Sequence, residues 1–225
     1  MAAKRVWESK DVGLIISLMG ARQSSAEVQE AGCVSLQDLT ADKDGKDPKK
    51  VEIAAKGGIE AVLTAMGAHA SIAGGQEQGC LALRNVARNE ENKVTIAAQG
   101  GIAAVLRAMG AHASSAGVQE KACWALGNLA GNAKNKLAIA TQGGIAAVLR
   151  AIGAHASSAG VQENGCFAQH NHRSGTRARF RSCRRPWLLS RMRWIFRGKG
   201  RVSWRSLARE AVSCWWKEKS RDGEV

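Results

Sequence analysis

The chain has no tyrosine, three phenylalanines and only two prolines. It also carries 25 glycines in 225 residues, a poor composition for an ordinary β-sandwich, whose strands draw on aromatic and β-branched side chains. No apolar run approaches the roughly 18–20 residues that span a bilayer. The apolar stretch at residues 12–19 is too short and too far from the start to serve as an export signal. Walker loops, dinucleotide fingerprints and nucleophile elbows are missing, and Gly198-Lys199-Gly200 lacks the rest of a phosphate-binding loop. The sequence therefore leads us to expect no cofactor, no small-molecule substrate and no catalysis. What is present excludes a wholly disordered chain, with 45% apolar and 23% charged residues. Without an export signal, the six cysteines read as reduced thiols of an intracellular protein, cytoplasmic or nuclear.

The net charge of +14 is unevenly distributed. Residues 1–170 hold 17 basic and 15 acidic side chains, a net of +2, whereas residues 171–225 hold 16 and 4, a net of +12. Five of the seven tryptophans, Trp187, Trp194, Trp204, Trp215 and Trp216, lie in that last stretch. Two compositions meet near residue 170.

The first is repetitive. Gly-Gly-Ile begins at Gly57, Gly100 and Gly143, a period of 43 residues. His69, His112 and His155 keep that interval, as do Cys80, Cys123 and Cys166. Residues 14–39 form a partial earlier copy, with Met19-Gly20, Val28-Gln29-Glu30 and Cys33; a polar loop at residues 41–50 lengthens the interval to Cys80. Each unit reads as three helices. Residues 92–99 form a short one ended by Gly100-Gly101. Ile102, Val105, Leu106 and Met109 give the second an apolar face, and Gly110 stops it. Ser114-Ser115 offers a cap for a third over residues 116–130, burying Val118, Ala122, Cys123, Leu126 and Leu129. Asp47-Pro48 opens the earlier unit with a cap followed by the residue tolerated at the first helical position. No unit buries its apolar faces alone, so neighbours must stack into an all-α solenoid.

A unit of this length, with one short and two longer helices, resembles the armadillo repeat over residues 10–168. The stretch Cys123-Trp124-Ala125-Leu126-Gly127-Asn128-Leu129-Ala130-Gly131 is similar to the third helix of karyopherin-α repeats. The resemblance implies a right-handed α–α superhelix of three to four repeats. We divide the chain into a partial repeat at 1–40, repeats at 48–89 and 91–132, an incomplete repeat at 134–170 and a basic tail at 171–225. It further implies a concave groove lined by third helices that binds an extended peptide, so partners are other proteins. In that pattern an asparagine bonds the peptide backbone and a tryptophan one turn earlier packs on a peptide side chain. The matching positions are Trp124 with Asn128, Leu81 with Asn85, and Val34 with Asp38. Trp124 and Asn128 share a helix face in any case, standing at i and i+4. An amide supplies the donor and acceptor that a peptide bond needs. The alternative is that Asn85 and Asn128 tie adjacent third helices together.

Two departures from the karyopherin pattern weaken selection of basic cargo. Only one unit carries the tryptophan, and Asn89 and Asn132 stand where an acidic residue would favour lysine-rich peptides. Cys33, Cys80, Cys123 and Cys166 are read as apolar core fillers, since equivalent positions on packed helices lie roughly 8–10 Å apart, too far for a disulfide or a shared metal. His170, His172 and Cys183 show no zinc spacing.

In the fourth unit Gln169 stands where Leu83 and Leu126 stood, and the pattern does not return. Three readings of the following tail stay open. Trp204, Leu207, Ala208, Ala211, Val212 and Trp215 fall on one helical face among arginines, which suits acidic membranes, nucleic acid or a calmodulin-like partner. The same stripe would also cap the solenoid end. Finally, the tail fits translation out of frame within a longer array. From Arg184, codons read one base displaced can encode Ala-Ala-Met-Ala-Ala-Leu-Thr-Asp-Ala-Met-Asp, similar to the second helix at residues 59–66.

Overall fold

The computed structural model describes residues 2–40 and 47–173, and among these it has helices joined by short turns and no strand. Of the tail read at residues 171–225, the first three residues belong to the last helix, and the rest lies outside the described residues. Twelve helices follow in groups of three. The first group is α1 (Ala2–Ser9), α2 (Val12–Ala21) and α3 (Ala26–Leu39). Next come α4 (Pro48–Ala55), α5 (Gly58–Ala68) and α6 (Ala73–Val86), then α7 (Glu90–Ala98), α8 (Gly101–Ala111) and α9 (Ala116–Leu129). The last group is α10 (Ala133–Thr141), α11 (Gly144–Ala154) and α12 (Ala159–Arg173). Third helices pack in series, α3 on α6, α6 on α9 and α9 on α12, so the molecule is an α solenoid.

The corner between first and second helices explains the paired glycines. Gly57, Gly100 and Gly143 sit at φ of +83°, +81° and +78°, a region that costs other L-residues energy. The glycine that follows has a different task. A Cβ on Gly101 would lie 2.8 Å from the Ile96 carbonyl oxygen and closer still to its Cγ2 methyl. Gly58 and Gly144 face Ile53 and Ile139 in the same way. One glycine supplies the backbone angle and the other the clearance, and together they turn α7 into α8 at 70°.

Caps fix the remaining boundaries. Asp47, Asn89 and Asn132 accept backbone N–H bonds at the starts of α4, α7 and α10. Asn89 and Asn132 thus have a structural task at the positions where the family pattern would hold an acid. Ser25, Ser115 and Ser158 receive the N–H groups of Val28, Val118 and Val161 at the starts of the third helices. Ile72 holds the equivalent position before α6, where it makes no cap and is 36% exposed.

A continuous core runs through all four groups. Cys33, Cys80, Cys123 and Cys166 are buried within it, and burial pushes the thiols of Cys33, Cys80 and Cys123 up to about 12. Gln169 is buried in its leucine-like slot, and its Oε1 has no hydrogen-bond partner among the described residues.

Two substitutions test this account by thermal or denaturant unfolding. Ile72→Ser restores the missing cap and should stabilise the chain by about 0.5–1 kcal/mol. Gly101→Ala forces a methyl into the Ile96 backbone and should destabilise it by roughly 1–3 kcal/mol, as overpacking does.

Candidate functional site

Each third helix exposes the same strip. Val34, Leu81, Trp124 and Phe167 occupy equivalent positions on α3, α6, α9 and α12, and all four are half-buried. One turn later stand Asp38, Asn85, Asn128 and Asn171. The three asparagines form a ladder. Asn85 Nδ2 donates to the Gln37 carbonyl at 3.2 Å, Asn128 Nδ2 to Arg84 at 3.0 Å and Asn171 Nδ2 to Gly127 at 3.0 Å. Each amide binds the third helix of the repeat before it. Asp38 is exposed and has no N–H to donate.

The two asparagines proposed for peptide contact are not equivalent. Asn85 is buried, and its Oδ1 accepts a bond from Arg84 Nη1, so both halves of its amide are engaged. Asn128 is half-buried and donates its rung, while its Oδ1 has no partner among the described residues. Asn128 therefore still offers an acceptor to a passing N–H group. Asn171, two residues beyond the point where the sequence pattern fails, continues the ladder on α12.

Trp124 is held by the repeat before it. The Arg84 guanidinium lies over its ring, with Cζ 3.4 Å from the centroid. Desolvation, helped by the nearby charge of Arg88, draws the Arg84 pKa down to about 10, which leaves it cationic at neutral pH. At the next interface the register is the same but the chemistry differs. Gly127 replaces Arg84, and Phe167 packs directly onto it, where a Cβ would lie 2.5 Å from the ring. The residue just before each asparagine thus determines how the next platform side chain sits.

Two further ladders hold the strip in place. Gln29, Gln76, Gln119 and Gln162 each give both Nε2 hydrogens to carbonyls at the end of the preceding second helix, such as Met109 at 2.8 Å and His112 at 3.0 Å for Gln119. His69, His112 and His155 each place Nε2 2.8 Å from a carbonyl of the preceding repeat, Gln23, Ala70 and Ala113. A carbonyl only accepts, so Nε2 carries the proton. The repeated glutamines were visible in the sequence, but their role as caps was not. Arg84 carried a different signal, since Gln37, Gly127 and His170 show that its position does not repeat.

The bond from Asn128 to Arg84 joins two repeats, so Asn128→Ala should lower stability by about 1–2 kcal/mol in denaturant unfolding. Asn128→Asp retains an acceptor but loses the rung, and should destabilise at least as much.

Residues 89–131 match the family model described as the Armadillo/beta-catenin-like repeat, which covers α7, α8 and α9. A comparison with curated proteins gives no match. Two crystal structures of engineered proteins from the Northeast Structural Genomics Consortium share the fold. They align to 73% and 72% of this chain with TM-scores of 0.63 and 0.62, each at 22% identity. The chain spans 63% and 38% of their respective lengths. None of these matches is to a catalytic family. Repeat, packing and structural likeness agree that the described residues form an α solenoid, in which residues 89–131 match the Armadillo/beta-catenin-like repeat.

Proposed function

We propose that the chain is a non-catalytic protein-interaction scaffold whose third-helix strip binds an extended peptide. The observation that carries this reading is the repeating pair on adjacent third helices. A half-buried apolar or aromatic platform lies on four consecutive third helices in register, beside Asp38 in the first and beside an asparagine in the other three. An extended chain presents side chains and backbone amides in alternation, which suits a surface alternating platforms with amide groups. Trp124 is the largest platform, Asn128 offers an acceptor, and Leu81 supplies the adjoining apolar contact. Asn85 contributes by fixing Arg84 and the Gln37 carbonyl, and Asp38 closes the first-repeat end of the strip with a negative charge. We also propose a reducing compartment, the cytoplasm or nucleus, a reading that the buried thiols support.

A karyopherin-like preference for lysine-rich cargo is not favoured. Arg84 already covers one face of Trp124, and no acid stands at positions 89 or 132. The competing reading assigns binding to the basic tail, toward nucleic acid or acidic membranes.

Trp124→Ala should weaken a selected peptide by roughly 1–2 kcal/mol, measured by calorimetry or anisotropy. Deletion of residues 174–225 should leave that affinity nearly unchanged. A tail-driven interaction would instead vanish on deletion and fall steeply with added salt.

A further inference from the structure

At the position just before the ladder residue the four copies differ, with Gln37, Arg84, Gly127 and His170. Arg84 therefore does not serve the repeat as such. Its guanidinium is pinned on Trp124 and by the bond from Nη1 to Asn85 Oδ1. Of its five N–H donors, that bond uses one, and Nε is buried with no acceptor. Arg88 lies in the turn just after α6, close enough for its charge to act on Arg84.

Among the described residues no ion pair joins either of these cations to a carboxylate. The ion pairs among the described residues join Lys49 and Lys56 to Glu52, Lys50 to Asp47, Lys93 to Glu90, and Lys121 to Glu120. Lys121, on the neighbouring α9, is thus already neutralised, while Arg84 and Arg88 are not. Adjacent like charges are unfavourable, and a carboxylate that meets the Nη donors left over on Arg84 relieves them. An arginine held flat against an aromatic ring is also oriented beforehand, so little side-chain entropy is lost when a carboxylate docks.

We propose that Arg84 and Arg88, with the flank of Trp124, form a pocket for the side-chain carboxylate of an aspartate or glutamate in the bound peptide. This rests on the groove reading given above. The strip continues on both sides, from Leu81 and Val34 to Phe167, so the acid belongs within the peptide rather than at its end. A lysine at that point would meet two like charges and a ring face already taken.

The test is a selection of randomised, C-terminally amidated peptides on the full-length protein, repeated with Arg84→Gln and Trp124→Ala. Circular dichroism melts verify that each variant folds. The expected result is an acidic residue enriched at one fixed position with wild type and not with Arg84→Gln. For a selected peptide, replacing that acid by glutamine should cost wild type roughly tenfold in Kd and leave Arg84→Gln unchanged within about twofold. Arg84→Lys should restore part of the preference, and added salt should reduce it. Binders that depend on Trp124 but show no acidic preference would overturn the pocket and leave the groove standing. Binders indifferent to both variants, or no binders at all, would overturn both.

Discussion

Every described repeat after the first is positioned by hydrogen bonds to main-chain carbonyls of the repeat before it. Asn85, Asn128 and Asn171 reach the preceding third helix, His69, His112 and His155 reach the preceding loop, and Asn92 and Asn135 reach the carbonyls of Lys50 and Lys93 at 2.9 Å. Apolar contacts supply most of the attraction between stacked helices, but they tolerate sliding. Buried amides do not, because a displaced amide leaves two polar groups unpaired. The ladders therefore set the register, and the register brings the platforms into a row.

The same constraint limits what the strip has left for a partner. An asparagine that holds its neighbour has used its donor, and Asn85 has used its acceptor too. In the proposed groove, specificity then falls to side chains outside the ladders. Trp124, Phe167 and the residues beneath them, Arg84 and Gly127, differ from copy to copy, and they are where a partner can distinguish one repeat from the next. The first copy differs again, since Asp38 and Arg22 replace the asparagine and histidine donors that later repeats direct backward.

The fold was largely legible because each repeat states its own boundaries. The paired glycines, the serine caps and the apolar spacing are local features, and local backbone chemistry decides helix ends. The site was legible only in outline. Trp124 and Asn128 share a face by helix geometry, but whether Asn128 faces a partner or a neighbouring helix depends on a carbonyl 44 residues away in sequence. Gln119 looked like one polar position of a helix, and only its distance to Met109 and His112 shows it as a cap.

By itself, the sequence determined the helical solenoid, its period, its corners and the burial of Cys33, Cys80, Cys123 and Cys166, because these follow from backbone angles and apolar periodicity within one unit. Tertiary structure alone decided that Arg84 lies on Trp124, that Asn85 is consumed and that Asn128 retains an acceptor. Those facts belong to pairs of repeats, and a pairing between side chain and distant carbonyl leaves no mark on the local pattern of either.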